Sequence, residues 1–180
     1  MRNKNKKRGE SISRNEHYSL KQELKLGNAA TLLNLLSGLA SILLSITGRY
    51  NMAIALIGAS LVFDFLDGRL ARRAGKATKF GTEIDSLSDI ISFGAAPIIY
   101  SFMQNATIFA IIAYFLNIST GAFRLARYNI MPKKYFIGMP IPCNAILLVI
   151  ASFLLPKTYW PFITILSAIL MASPFKIKKL

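Results

Sequence analysis

From Ala29 to Pro174 one long apolar stretch follows another, and most of the charge lies between, outside or at the ends of those stretches. That arrangement narrows the fold more than any motif does. A run of roughly 20 apolar residues is enough to carry a helix across ~30 Å of hydrocarbon. Six such spans are expected, at about 29–48, 51–73, 84–104, 106–126, 139–156 and 159–174. A compact soluble domain of 180 residues needs no runs of this kind, and a disordered chain is not 53% apolar. The chain therefore reads as an all-α integral membrane protein, a multi-pass bundle of six transmembrane helices.

The basic residues orient that bundle. Of 22 lysines and arginines, eight precede Leu26, five lie in residues 69–79, four in residues 124–134, and three follow Phe175. The opposite connections hold only Arg49 and Lys157. By the positive-inside rule both termini are cytoplasmic. The net charge of +14 is then membrane-surface charge, with lipid as its partner and no nucleic acid implied. Residues 1–27 read as a basic cytoplasmic tail and juxtamembrane segment, and residues 28–180 as one six-helix domain. Within 16–27, Tyr18, Leu20, Leu24 and Leu26 lie near one another, as in a short N-terminal interfacial helix. A solvated charged tail held by anionic lipid accounts for the same residues. The first apolar run is too long for a secretory signal and no small-residue cleavage site follows it, so the N-terminal segment is expected to be retained. Cys143 has no partner for an internal disulfide and is expected in apolar packing.

Ionisable side chains inside a span are costly and need a reason. The second and third spans hold four aspartates: Asp64, Asp67, Asp85 and Asp89. At about 100° per residue, Asp64, Asp67, Gly68 and Ala71 share one helical face, with Arg72 at its margin. Gly81, Asp85, Ser88, Asp89 and Ser92 form a second face. With the N-terminus inside, all four carboxylates meet at one depth near the cytoplasmic surface. Bare carboxylates there would repel one another and lose their hydration. Pairing with Arg69, Arg72, Arg73, Lys76 and Lys79 is one resolution. Hard divalent cations with oxygen ligands are a better one, because helical stacking aims the acids at each other. Two ions would neutralise all four acids, and two-metal sites serve phosphoryl chemistry.

Written out, the spacing is D-x2-D-G-x2-A-R-x8-G-x3-D-x3-D, eight fixed residues over 26 positions from Asp64 to Asp89. It resembles the signature of the CDP-alcohol phosphotransferases, membrane enzymes of phospholipid biosynthesis. The resemblance implies that Asp64, Asp67 and Asp85 hold metal, and that Asp89 both contacts metal and acts as the catalytic base. Oxygen ligands suit Mg2+ or Mn2+, with Ca2+ also compatible, and the charge balance calls for two ions per site. The resemblance also implies contacts to a CDP-lipid from Gly68, Ala71, Arg72, Thr78 and Gly81, with Asn28 and Thr31 nearby, and a homodimer. Gly27 stands where the family commonly has proline. Physically, Gly68 and Ala71 clear a slot along the helix, and the Arg72 fork suits a diphosphate better than a lysine would. In the first span Thr31, Asn34, Gly38, Ser41 and Ser45 form a polar stripe that must face into the bundle. Helix packing and substrate contact explain that stripe equally well.

Three further segments, TLLNLLSG at 31–38, RLARYN at 124–129 and GMPIP at 138–142, resemble the serine-accepting branch of that family, the phosphatidylserine synthases. Asn117, Thr120, Gly121 and Arg124 share a face. Arg124 or Arg127 suits the carboxylate of L-serine, and Asn129 its ammonium or hydroxyl. The reaction implied is transfer of a phosphatidyl group from CDP-diacylglycerol, or its archaeal ether-lipid counterpart, to serine with release of CMP. Glycerol 3-phosphate or an inositol compound as acceptor would also want arginines. A divalent-cation transporter is the alternative from another class, but no acidic residue follows Asp89 to line a path across the bilayer. The expected setting is the cell membrane, with the active site facing the cytoplasm.

Overall fold

The computed structural model describes residues 26–73, 79–130, 135–174 and 176–178. Among them the chain forms α1 (Leu26–Ile46), α2 (Tyr50–Arg73), α3 (Lys79–Asp89), a π-helical turn (Ile90–Ala95), α4 (Ala96–Phe102), α5 (Ile108–Ile130), α6 (Ile141–Leu154) and α7 (Trp160–Ala172). A 3-10 turn, Lys157–Tyr159, precedes α7, and two three-residue strands, β1 (Tyr135–Ile137) and β2 (Lys176–Lys178), complete the list of elements. The expected tail and interfacial helix, up to residue 25, lie outside the described residues.

Burial is inverted relative to a water-soluble bundle. Asn34, Ser41, Ser45, Asn117, Asn144 and Ser167 are fully buried, whereas Phe115, Phe123, Phe153 and Leu154 are 70–79% exposed. Apolar exposure on that scale marks a surface that meets something apolar. In α1 the stretch Ala29–Ile46, and in α5 Ile108–Ile130, are long and apolar enough to cross a membrane, and α6 and α7 are apolar but shorter. The chain is a helical membrane protein.

Local chemistry sets the element ends. After α1, the Gly48 N–H bonds the Ser45 carbonyl at 3.1 Å and the Arg49 N–H the Leu44 carbonyl at 2.8 Å. With Gly48 at φ 76°, this is a glycine-terminated helix cap that reverses the chain into α2. Prolines open α6 and α7, where the missing N–H costs nothing. The polar stripe of α1 faces inward as expected, and it serves two ends. Toward Ile46 it is packing: Ser41 donates to the Ala53 carbonyl at 2.9 Å. At Gly38 a side chain would meet the Ser92 Cα at 2.7 Å, so only glycine lets α1 approach so closely. Ser92 then reaches the Asn34 carbonyl at 2.9 Å and Ser88 the Thr31 carbonyl at 3.3 Å, fixing the register of α1 against the third rod.

That third rod departs from the expected uniform helix over 84–104. Pro97 has no N–H to offer the carbonyl four residues back, that of Phe93. The Asn144 side-chain amide of α6 bonds the Phe93 carbonyl instead, at 2.9 Å. The amide oxygen of Asn144 accepts from Asn117 at 3.1 Å and from Ser167, so one side chain ties α5, α6 and α7 to the π-helical turn. Around it lies the core of Ile57, Phe93, Ala96, Leu125, Ile141, Ala145 and Met171. α5 runs on to Ile130, past the expected end at 126, so Arg127 and Asn129 are helical.

The two ends of the bundle differ. At one, Tyr50 meets Tyr100 edge-on and Tyr100 stacks on Trp160, both at 5.9 Å, beside Arg49 and Lys157. At the other, β1 and β2 pair antiparallel, with Phe136 opposite Ile177, a ribbon that the all-α expectation lacked. Gly138, at φ 69°, follows it against the Met171 carbonyl, where a Cβ would collide. Cys143, expected in packing, is exposed on α6.

Asn144→Leu leaves the buried Phe93 carbonyl without its side-chain donor. It is expected to cost about 1–2 kcal/mol, read as a lower Tm in detergent. An unchanged Tm would show that the turn does not depend on this bond.

Candidate active site

Asp64 and Asp67 stand one turn apart on α2, and Asp85 in the second turn of α3. Each contributes a carboxylate oxygen, and the three oxygens lie within 4.8 Å of one another. Asp89, one turn further along α3 and buried, is within electrostatic range of all three. The four acids therefore do converge, as their helical faces foretold. α1 packs against both α2 and α3 and supplies the first polar partners. The Thr31 hydroxyl and the Gly68 N–H donate to the Asp67 carboxylate. The Asn34 amide donates to Asp89 Oδ1 at 3.4 Å.

The donor set fits a divalent cation. Oxygen ligands of one such ion, each at roughly 2.0–2.6 Å, lie at most about 5 Å apart, which the three carboxylates satisfy. Asp67 Oδ2 is buried without a hydrogen-bond partner among the described residues. An anionic oxygen left bare in a protein interior is costly unless a positive charge reaches it. Arg69 is spent elsewhere: it is exposed, with its guanidinium 4.5 Å over the Phe65 ring.

Of the expected lipid contacts, Thr31 is buried against Asp67, and Gly68 and Gly81 are half-buried on α2 and α3. Asn28 lies two residues into α1, and Ala71 and Arg72 in the last turn of α2. Thr78 lies outside the described residues.

The residues assigned to the acceptor separate. Arg124 is buried, its Nε has no hydrogen-bond partner among the described residues, and its guanidinium lies 5.3 Å from the Tyr128 ring centroid. Asp89 is within its electrostatic reach. Arg127 instead bonds the Met171 carbonyl at 3.4 Å, and Asn129 bonds the Ser86 hydroxyl at 3.0 Å, next to Asp85. The rest of the expected α5 face is structural. Asn117 bonds Asn144 and the Thr164 carbonyl, Thr120 bonds carbonyls of its own helix, and Gly121 packs on Ile141 and Ile90. Sequence reasoning placed Asn34 in the inward stripe but missed its bond to Asp89. Its one signal was the polar stripe, which does not say what the stripe meets.

A membrane bundle with a cluster of carboxylates at one end, whose oxygens fit a hard divalent cation, is the class of protein that fold and site define. The family model described as CDP-alcohol phosphatidyltransferase matches residues 24–174, and the chain belongs to that family. It is 37% identical over 167 residues to the CDP-diacylglycerol–serine O-phosphatidyltransferase of Methanocaldococcus jannaschii, covering 90% of this chain and 78% of that one. It is 40% identical over 160 residues to the archaetidylserine synthase of Methanothermobacter thermautotrophicus, covering 83% and 68%. A CDP-diacylglycerol–serine O-phosphatidyltransferase of Helicobacter pylori is 38% identical over 134 residues, 71% of this chain and 56% of its own length.

Replacing any of the clustered acids by its amide keeps shape and removes charge. Asp64→Asn, Asp67→Asn and Asp85→Asn are each expected to weaken Mn2+ binding by roughly tenfold or more, the worth of a charged contact. Titration calorimetry of the detergent-purified protein measures this. Wild-type affinity in two of the three would remove the metal assignment.

Proposed function

We propose that the protein transfers a phosphatidyl group from CDP-diacylglycerol, or an ether-lipid counterpart, to L-serine, giving CMP and phosphatidylserine or its ether analogue. The observation that carries the reading is the carboxylate cluster Asp64, Asp67 and Asp85 inside a family motif, with Asp89 beside it. The names of the relatives supply the acceptor.

Asp64, Asp67, Asp85 and Asp89 would hold the metal, two ions of Mg2+ or Mn2+, with Ca2+ also compatible with the oxygen ligands. When bound, the metal supplies positive charge against the diphosphate and the departing phosphate. The nucleotide lies against Asn28, Thr31, Gly68, Ala71, Arg72, Thr78 and Gly81, with Arg72 forking onto phosphate oxygens. Asp89 accepts the proton of the serine hydroxyl. The serine oxygen bonds to the phosphorus that carries the lipid, and the bond from that phosphorus to the CMP oxygen breaks. Positioning and electrostatics do most of the work in such transfers.

For the acceptor, Arg124 is the better of the two arginines. Its charge is buried and its Nε has no hydrogen-bond partner among the described residues, whereas Arg127 holds Met171. A desolvated guanidinium is complementary to a carboxylate. Asn129, bonded to Ser86 beside Asp85, completes the acceptor's surroundings. The spacing of the basic clusters along the sequence, and the aromatic set Tyr50, Tyr100 and Trp160 at the end away from the acids, support six spans in the cell membrane, with the acidic end and both termini cytoplasmic. A homodimer follows from the family resemblance. Residues 28–180 act as the catalytic domain and residues 1–27 as its basic tail.

The test is CMP release by the purified protein with CDP-diacylglycerol, Mn2+ and a panel of alcohols. Serine should support turnover; turnover with glycerol 3-phosphate or an inositol compound but not serine would overturn the acceptor assignment. Arg124→Ala should raise the serine KM roughly ten- to hundredfold, the worth of one charge-assisted contact, with far less change in the CDP-diacylglycerol KM. Insensitivity to that change would move the carboxylate to Arg127.

A further inference from the structure

Asn34 is the polar side chain of α1 that faces Asp89, and it is fully buried. Its place is fixed twice over, by the Ser92 hydroxyl on its carbonyl and by the close approach of Gly38 to Ser92 one turn on. The amide is only half used. Its NH2 donates to Asp89 Oδ1 at 3.4 Å, but its oxygen, Oδ1, is buried without a hydrogen-bond partner among the described residues. A buried acceptor left bare is costly, and a carbonyl oxygen in a bundle core awaits a donor.

We propose that Asn34 determines acceptor specificity, its NH2 positioning Asp89 and its bare oxygen receiving an N–H of the acceptor's ammonium group. The assignment rests on the proposed use of an amino-acid alcohol. Of serine's three polar groups, the carboxylate repels a carbonyl oxygen and suits Arg124, and the hydroxyl must face Asp89. The ammonium is the strong donor left over, and a neutral amide oxygen accepts from it without adding charge to four aspartates. A carboxylate at position 34 would add that charge, and an apolar side chain would accept nothing.

The test is a substrate-by-variant cycle with full-length protein, Mn2+ and CDP-diacylglycerol. L-Serine is compared with 3-hydroxypropanoate, which lacks only the ammonium, as acceptor or as competitive inhibitor against serine. In the wild type, serine should be favoured roughly ten- to hundredfold. In Asn34→Leu that preference should collapse to within a few-fold, alongside a lower kcat from a loosened Asp89. Asn34→Asp keeps the oxygen and loses the donor, so it should keep the serine preference while kcat falls. A purely structural Asn34 would lower both acceptors by the same factor and leave the preference intact, which overturns the proposal. If Asn34→Leu no longer binds CDP-diacylglycerol, Asn34→Ser is read by the same ratio. Absence of serine turnover in the wild type would instead sink the serine reading itself, a result distinct from an unchanged preference.

Discussion

Three carboxylates held within 4.8 Å of one another, in a bundle whose outer surface is apolar, are the demand that the rest of the chain answers. Like charges so placed separate unless something holds them, and in a membrane water cannot do it. The protein uses backbone geometry. α1 is laid against α2 and α3 at once, its register locked by Ser88 on the Thr31 carbonyl and Ser92 on the Asn34 carbonyl. The same turns of α1 then present Thr31 to Asp67 and Asn34 to Asp89. Packing and site are one seam, and Gly38 is what lets the seam close.

The π-helical turn extends that seam to the other half of the molecule. It starts at Ile90, directly after Asp89, and each residue beyond α-helical register turns the downstream chain by about 100°. Pro97 leaves the Phe93 carbonyl open, and Asn144 closes it from α6 while also holding Asn117 and Ser167. The orientation of α3 at Asp89 is thereby coupled to α5, the helix that carries Arg124. π-turns of this kind recur where function needs a helix to turn a side chain off its regular path.

Much of this was legible in the sequence, and what was not has physical reasons. The acidic faces of α2 and α3 and the inward stripe of α1 follow from helical periodicity, because a residue's face depends only on its neighbours along the chain. Contacts across some 50 residues do not. Nothing in the run from Thr31 to Ser45 says that its lower turns meet aspartates and its upper turns meet Ala53. Periodicity also assumes a constant turn, so the break after Asp89 was invisible, although Pro97 inside a span was a signal that one carbonyl needed a distant donor. The α5 face shows the same limit. Four residues at helical spacing look alike on a wheel, yet Asn117 and Gly121 are consumed by packing and Arg124 keeps an unused donor. The β1–β2 ribbon joins segments some 40 residues apart and is too short to leave a pattern.

The asymmetry of the bundle bears on why a site of this kind belongs at one end. A lipid substrate keeps its tails in hydrocarbon while its diphosphate and nucleotide need water and charge, so the reacting bond lies at the boundary between the two. Placing the acids at the centre would require the diphosphate to be dehydrated completely, and placing them in solution would leave the tails exposed. The acids themselves are graded in burial, Asp67 and Asp89 being buried and Asp64 and Asp85 half-buried, as a site open on one side requires. The far end, by contrast, is closed by Tyr50, Tyr100 and Trp160 packed on one another and by the Asn105 amide on the Lys157 carbonyl at 2.9 Å. Carboxylates at one end and packed rings at the other give the bundle one acidic face, which is what a reaction at a single membrane surface requires.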